Sequence, residues 1–149
     1  MSLSDPTKKM SKSDPKSHSR ILLTDSAQTI NKKVKSALTD SIEETGLEYD
    51  PVNRPGLANL IDIWFYLQDA KGESIEEAME WMKNYSKKKL KEHVALSINT
   101  ALAPIRDRYG ELMQESSQQY LEDVAREGAQ KASASAEKTM QRVREAMGL

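Results

Sequence analysis

The sequence predicts an all-α fold, a helical bundle of about five helices preceded by a mobile loop. After about residue 25, apolar residues recur at spacings of three and four, which places them along one face of successive helices. Residue types that cap helices precede several of these stretches. The alternating pattern of strands is almost absent, and residues 21–23 are the only candidate for a short strand.

Residues 1–19 are rich in lysine, serine, aspartate and proline and show almost no apolar period, which is typical of a loop or a mobile arm. Within it, the pentapeptide Lys9–Ser13 places two lysines three residues apart, with hydroxyl side chains between and after them. Ammonium and hydroxyl donors in a mobile loop suit a polyphosphate ligand. For so short a pattern, a plain solvated loop is the alternative.

The first helix is predicted from about Ser26 to Leu38, with Asp25 and Gln28 suited to a capping box. Its apolar positions fall at helical spacing, which indicates one buried face. The side chains expected to face solvent are Lys32, Lys33 and Lys35. Residues 39–54, which contain glycine, Asp-Pro and asparagine without a sustained period, are predicted to form a connecting loop.

The second helix is predicted to begin at Pro55, because proline fits the first turn of a helix. Its apolar stripe runs from Leu57 to Leu67 and is the widest in the chain, so we expect this helix to be the most buried. Gly72 should end it.

The third helix is predicted to open with a capping box formed by Ser74 and Glu77. Trp81 lies on its apolar side, as Trp64 does on the second helix. Both tryptophans are therefore expected in the hydrophobic core rather than in a cofactor site.

The last two helices are long. One is predicted over about residues 86–112 and contains Pro104, which removes a backbone hydrogen bond and should bend it. The other is predicted to end near Met147, with Ser116 and Gln119 as a capping box at its start. Small and apolar residues on it should pack against a neighbouring helix; these are Leu121, Ala125, Gly128, Ala129, Ala132, Ala136, Met140 and Val143.

The composition excludes several classes of site. The chain has no cysteine, and its two histidines, His18 and His93, are too far apart in sequence to suggest a metal site, so none is expected. No apolar run approaches the roughly 20 residues of a membrane span, and no membrane partner is expected. The sequence also lacks a glycine-rich phosphate loop and a nucleophile with its base, so the chain alone should not complete an active site.

A second group of lysines surrounds the start of the fourth predicted helix. Its members are Lys83, Lys87, Lys88, Lys89 and Lys91. Cations at a helix N-terminus oppose the helix dipole, which is mildly indicative of a phosphate partner such as RNA. The other interpretation, which we favour from sequence alone, is a tolerated solvated surface whose charge salt screens.

Several ordered segments also carry a family resemblance. They are residues 1–15, Thr39-Asp40-Ser41, Tyr49-Asp50, Arg54-Pro55-Gly56-Leu57-Ala58-Asn59-Leu60, Pro104-Ile105-Arg106, Arg108-Tyr109 and Ala146-Met147-Gly148-Leu149. Together these segments closely resemble the C-terminal part of bacterial-type tryptophanyl-tRNA synthetases, which are class I enzymes. Residues 9–13 correspond to the KMSKS loop of that family, which closes on the triphosphate of ATP.

The resemblance implies a division into residues 1–24, the KMSKS loop and the end of a catalytic domain, and residues 25–149, a helical anticodon-binding domain. It implies ATP with Mg²⁺ as the bound nucleotide and tRNA(Trp) as the RNA partner of a homodimeric parent enzyme. Lys9 and Lys12 would act on the phosphates. The residues implied to bind ATP are Lys9, Met10, Ser11, Lys12 and Ser13.

A complete enzyme of this family is more than twice as long, and the family's other ATP signature and its tryptophan pocket do not occur here. We therefore expect a fragment that is inactive by itself and meets tryptophan only through a missing N-terminal part. The resemblance favours the mitochondrial matrix as location, with the bacterial cytoplasm as the alternative. A different class of function also stays open: a non-enzymatic helical module whose basic arm binds RNA or an acidic partner.

Overall fold

The computed structural model describes residues 1–42, 46–68 and 74–149. The described residues form five α-helices and no strand, which confirms the predicted fold class. The helices are α1 (Ala27–Lys35), α2 (Pro55–Tyr66), α3 (Ile75–Trp81), α4 (Lys87–Leu112) and α5 (Gln118–Met147). Short 3₁₀ turns lie at Ser17–Ser19 and Glu115–Ser117. The predicted helix break at Gly72 and residues 43–45 of the predicted loop lie outside the described residues.

The chain divides into two compact units, Met1–Arg106 and Asp107–Leu149. The hydrophobic core lies in the first unit and draws on α1 to α4. No described helix combines the length and the apolar content that crossing a bilayer would need.

The N-cap of helix α1 lies one residue later than predicted. Ser26, not Asp25, is the N-cap, and its hydroxyl accepts a hydrogen bond from the Thr29 backbone N–H at 3.2 Å. Asp25 instead closes the preceding turn and pairs with Lys33 at 2.5 Å. The prediction that Lys33 faces solvent was therefore wrong. The candidate strand at residues 21–23 was also wrong, because a backbone turn from Leu22 to Asp25 occupies this stretch.

Helix α2 is the most buried of the five, as predicted. Proline stands at its first position, and seven of its twelve residues are buried. Gly56 lies against the backbone of Leu38, three residues after the end of α1. A Cβ at residue 56 would lie 2.4 Å from the Leu38 carbonyl oxygen, so only glycine allows the two backbones to come this close. Asn59, 6% exposed, accepts a hydrogen bond from the Met1 nitrogen at 2.8 Å and donates to the Met1 and Ser2 carbonyls.

The first residues of the chain are part of the core rather than a loose arm. Leu3 is 2% exposed, and its N–H donates to the Ser19 carbonyl at 2.8 Å. The Leu3 carbonyl in turn accepts from the Leu38 N–H at 2.8 Å. The segment before the pentapeptide is thereby fixed to the end of α1 and, through Asn59, to α2.

Helix α3 has the predicted cap, since the Ser74 hydroxyl accepts a hydrogen bond from the Glu77 N–H. Trp64 is buried, which confirms its prediction. Trp81 is 58% exposed, so its prediction as a core residue was wrong. The two indoles stack with centroids 5.3 Å apart and planes at 9°, so Trp81 covers Trp64 from the solvent side.

Helix α4 runs through Pro104 without ending, and Leu90, Val94 and Ile98 on it are buried. The apolar spacing of α4 continues to Ile105 and Tyr109 and predicts that they are buried, but these two side chains are 45% and 48% exposed. The capping and packing predicted for α5 were also wrong. Ser117 is the N-cap and makes no side-chain cap bond, and no residue of α5 is buried.

Candidate ATP-phosphate loop and charged surfaces

The pentapeptide Lys9–Ser13 follows a turn that is closed by its own side chains. The Lys8 N–H donates to the Asp5 carbonyl at 3.0 Å, and the Lys8 ammonium pairs with the Asp5 carboxylate at 2.9 Å. The Lys8 ammonium and the Thr7 hydroxyl lower the pKa of Asp5 to about 2. Lys8 is therefore already engaged inside the loop.

The pentapeptide is closed on its other side by Asp14. The Asp14 N–H donates to the Ser11 carbonyl at 3.3 Å, and the Asp14 carboxylate accepts from the Lys16 N–H at 2.8 Å. The Arg20 guanidinium donates to the Asp14 carbonyl at 2.7 Å. The bond from the Lys16 N–H holds the pKa of Asp14 below its ordinary value.

Within the pentapeptide, the side chains divide between the core and solvent. Met10 is half-buried and packs against the hydrophobic core. The two lysines, Lys9 and Lys12, are exposed, and neither has an ion-pair partner among the described residues. Ser11 and Ser13 are also exposed, with their hydroxyl oxygens 3.0 Å apart. The structure thus brings two unpaired ammonium groups and two hydroxyls into one anchored loop, which can bind several phosphate oxygens.

In the described ranges, no three histidine, cysteine, aspartate or glutamate side chains gather closely enough to hold a metal ion. His18 is exposed on the first 3₁₀ turn. His93 packs against Tyr85 and Trp81, with ring centroids 4.9 and 6.0 Å apart.

The lysine group at the start of α4 is mostly engaged in holding the fold, which neither interpretation of the sequence anticipated. The Lys87 ammonium pairs with the Asp40 carboxylate at 2.7 Å and donates to the Asp40 and Ile42 carbonyls. The Lys91 ammonium donates to the Ala37 and Lys35 carbonyls at 2.7 and 3.2 Å. The Lys91 ammonium thus binds carbonyls at and just after the end of α1, and the Lys87 ammonium binds carbonyls of the loop that follows.

The other members of the group differ in their engagement. Lys83 pairs with Glu80 at 2.8 Å. The Lys89 ammonium lies 3.9 Å from the centroid of the Tyr85 ring. Lys88 is exposed and has no ion-pair partner among the described residues. Only Lys88 and Lys89 therefore keep an ammonium available to an external anion, beside the aromatic side chains of α3 and α4.

A buried charge cluster links three elements of the first unit. Arg54, 4% exposed, donates to the Asp40 carboxylate from Nε at 2.9 Å and from Nη2 at 3.2 Å. Together with the Lys87 pair, these bonds hold the pKa of Asp40 far below its ordinary value. Asp40 and Arg54 lie in segments that carry the family resemblance, but no sequence pattern predicts that they pair. They are fourteen residues apart, and a loop separates them.

Several known proteins are similar to this chain. The family model described as tRNA synthetases class I (W and Y) matches residues 1–103. The chain is 42% identical over 149 residues to a tryptophan–tRNA ligase of Bacillus anthracis, covering all of this chain and 43% of the relative. It is 41% identical over 148 residues to one of Rickettsia felis, covering 99% of this chain and 43% of the relative.

The fold is likewise similar to a solved structure, a tryptophanyl-tRNA synthetase from Mycoplasma pneumoniae, with a TM-score of 0.73 and 26% identity. That match covers the whole of this chain and 45% of the solved one. The chain thus spans less than half the length of the relatives it matches. On this evidence, the chain belongs to the class I tRNA synthetases of the tryptophan and tyrosine family.

Proposed function

We propose that this chain is the part of a tryptophan–tRNA ligase that holds the phosphates of ATP with its KMSKS loop and binds tRNA(Trp) with its helices. The ATP part of this proposal is supported by a difference between neighbouring lysines in their ion-pair partners. Lys8 is paired with Asp5, whereas Lys9 and Lys12, the two lysines of the motif, are exposed and have no ion-pair partner in the described part of the chain. The motif therefore presents its positive charges outward from an anchored base.

The chemistry that this loop would assist is the activation of tryptophan. The carboxylate of tryptophan attacks the α-phosphorus of ATP, the bond to the bridging oxygen breaks, and pyrophosphate leaves as tryptophanyl-adenylate forms. Negative charge builds on the departing pyrophosphate, and the ammonium groups of Lys9 and Lys12 would stabilise it. The Ser11 and Ser13 hydroxyls would donate to phosphate oxygens, and Met10 would hold the loop to the core. Mg²⁺, bound to the triphosphate, would neutralise part of its charge.

The division of labour proposed for the chain follows the resemblance: residues 1–24 serve the nucleotide, and residues 25–149 bind the anticodon region of tRNA(Trp). The complete ligase would be a homodimer. Its relatives among the ligases compared above are bacterial, which favours the bacterial cytoplasm over the mitochondrial matrix as its location.

The test of the ATP proposal is tryptophan-dependent exchange of pyrophosphate into ATP. We expect no exchange by the chain alone, because positioning supplies most of this catalysis and the chain covers less than half of its relatives. A chimaera should restore exchange: this chain in place of the matched region of the Bacillus subtilis relative, to which it is 40% identical over 149 residues.

Within that chimaera, Lys12→Ala should lower the exchange rate about 100- to 1,000-fold, the usual effect of removing one preorganised charge donor. Lys16→Ala is the matched control, since Lys16 is an exposed lysine of the same segment outside the motif. Equal rates for the two variants would contradict the proposed role of the loop. They would favour a helical module whose basic arm only adds charge.

A further inference from the structure

A group of aromatic side chains that includes the exposed Trp81 lies where α3 meets the start of α4. The Trp81 indole stacks on Trp64 and also contacts the Tyr85 ring, with centroids 5.2 Å apart and planes at 56°. His93 closes the group, at 4.9 Å from Tyr85 and 6.0 Å from Trp81. Trp81 is 58% exposed to solvent, although its ring stacks on the buried Trp64. A large, immobilised and open indole is a surface on which another flat ring can stack.

Positive charge accompanies these rings. Lys88 and Lys89 stand beside them, and both keep their ammonium groups available, as described above. A cavity of about 360 Å³ adjoins the same place; it is lined by Ser86, Lys88, Lys89, Glu92, His93 and Leu96. Its volume falls in the range of ligand clefts. Glu92 is the one carboxylate in this lining, so the two lysines leave the cleft with net positive charge.

The larger cleft between α1 and α4 does not offer the same chemistry. It measures about 660 Å³, and its lining includes Lys35, Lys87, Lys88 and Lys91. The Lys87 and Lys91 ammonium groups already donate to backbone carbonyls and to Asp40, so these two lysines hold the fold rather than a ligand. Lys88 lines both clefts. No aromatic ring lines the larger cleft. Of the two clefts, only the one beside Trp81 combines flat rings with available cations.

We propose that Trp81, supported by Tyr85 and His93 and with Lys88 and Lys89 beside it, forms a stacking platform for unpaired bases of RNA. Unpaired bases can splay out and stack on aromatic side chains while lysines hold the flanking phosphates, whereas the bases of a duplex are stacked on one another. The inference rests on the proposed function, because it assigns a place on the helices to the RNA partner of that function. The sequence pattern placed Trp81 in the core and did not separate Lys88 and Lys89 from the neighbouring lysines.

The test uses the 149-residue chain, a stem-loop RNA with the tryptophan anticodon in its loop, and a fully paired duplex with the same number of phosphates. Tryptophan fluorescence reports directly on the platform, since Trp81 is exposed and Trp64 is 8% exposed. The stem-loop should protect Trp81 from quenching by acrylamide, and the duplex should not. Protection by both RNAs to the same degree would overturn the platform, because charge alone would then explain the binding.

Variants test the same surface by affinity. Trp81→Ala should weaken stem-loop binding about 5- to 150-fold, the range found when one base loses its stacking partner, while Trp81→Phe should keep most of the affinity. Lys88→Ala should lower the slope of log affinity against log salt by about 0.7, and Lys32→Ala, an exposed lysine on α1, should leave RNA binding unchanged.

The outcomes separate the platform from the function on which it rests. If the chain binds whole tRNA and the stem-loop, yet Trp81→Ala binds equally well and acrylamide quenching does not change, the platform is wrong and the RNA partner stands. If the chain binds neither tRNA nor the stem-loop, both proposals fail. The acrylamide measurement uses the unmodified chain, so it decides the question even if Trp81→Ala does not fold.

Discussion

The buried pair of Asp40 and Arg54 should be a main determinant of the stability of the first unit, and Asp40→Asn tests this. The Asp40 carboxylate accepts bonds from Arg54 Nε and Nη2, from the Lys87 ammonium and from the Ile42 N–H. Replacing it by an amide removes the charge that two cations share, one of them 4% exposed. Breaking a buried pair on one side costs about 3–5 kcal/mol.

The lower end of that range applies here. Glu48 lies 3.8 Å from the Arg54 guanidinium and can compensate in part, and the Asp40 side chain is 15% exposed. We therefore expect the free energy of unfolding to fall by about 3 kcal/mol, which for a unit of this size lowers the midpoint of thermal unfolding by about 10–20 °C. Tryptophan fluorescence is the appropriate assay, because Trp64 and Trp81 both lie in the first unit.

The matched control is Glu80→Gln, which breaks the exposed pair with Lys83 and should leave the midpoint unchanged. A midpoint for Asp40→Asn that equals that of the control would refute the reasoning. It would mean that the charge cluster selects one arrangement of the loop and helices but does not raise the free energy of unfolding.

Four further predictions concern the fold. Gly56→Ala should destabilise the first unit by about 1–3 kcal/mol in urea unfolding, because the new Cβ would meet the Leu38 backbone. Gly110 lies within a helix and has open space around it, so Gly110→Ala should instead stabilise that helix by about 0.5–1 kcal/mol, measured by circular dichroism. Ser74→Ala should cost about 1 kcal/mol through the lost cap of α3, and an unchanged urea midpoint would contradict the cap. Because folding lowers the pKa of Asp40, the ionised carboxylate stabilises the folded state above about pH 4, and this stabilisation is lost as the pH falls further. In Asp40→Asn the free energy of unfolding should therefore depend less on pH in this acid range.

The helices could be predicted from the sequence because period and cap act locally. Ser74 with Glu77, and Pro55 at a first position, carry their own geometric signals, and both were confirmed. The cap of α1 was assigned one residue early because Thr24, Asp25 and Ser26 are all capping types. The choice of Ser26 depends on the pairing of Asp25 with Lys33, which is a contact eight residues away.

Burial was predicted less well than helicity. Apolar spacing identifies the inner face of a helix, but it does not identify which part of the helix has a neighbour. Ile98 on α4 is buried and Ile105 is 45% exposed, although both continue one stripe. Trp81 has the same periodic environment as a core residue, and only the stacking of its ring on Trp64 shows that it covers the core from outside.

For the candidate site, the residue types of the pentapeptide and its family resemblance supplied the loop and its lysines. The sequence could not show that Lys8 is paired while Lys9 and Lys12 are not, because that distinction depends on the turn at Asp5. Nor could it separate Lys88 and Lys89 from Lys87 and Lys91. These four lysines are close in sequence, and backbone carbonyls at the end of α1 and in the loop after it decide which of them are engaged.

The most direct test of the proposed function is the salt-dependent binding of this chain to two tRNAs that differ only in the anticodon, one of them carrying the tryptophan anticodon. The shared phosphate backbone contributes equally to both, so the difference in affinity reports base recognition alone. Tighter binding of the tRNA with the tryptophan anticodon is the predicted result at every salt concentration. Equal affinities with equal, steep salt slopes would contradict the assignment of residues 25–149 as an anticodon-binding domain.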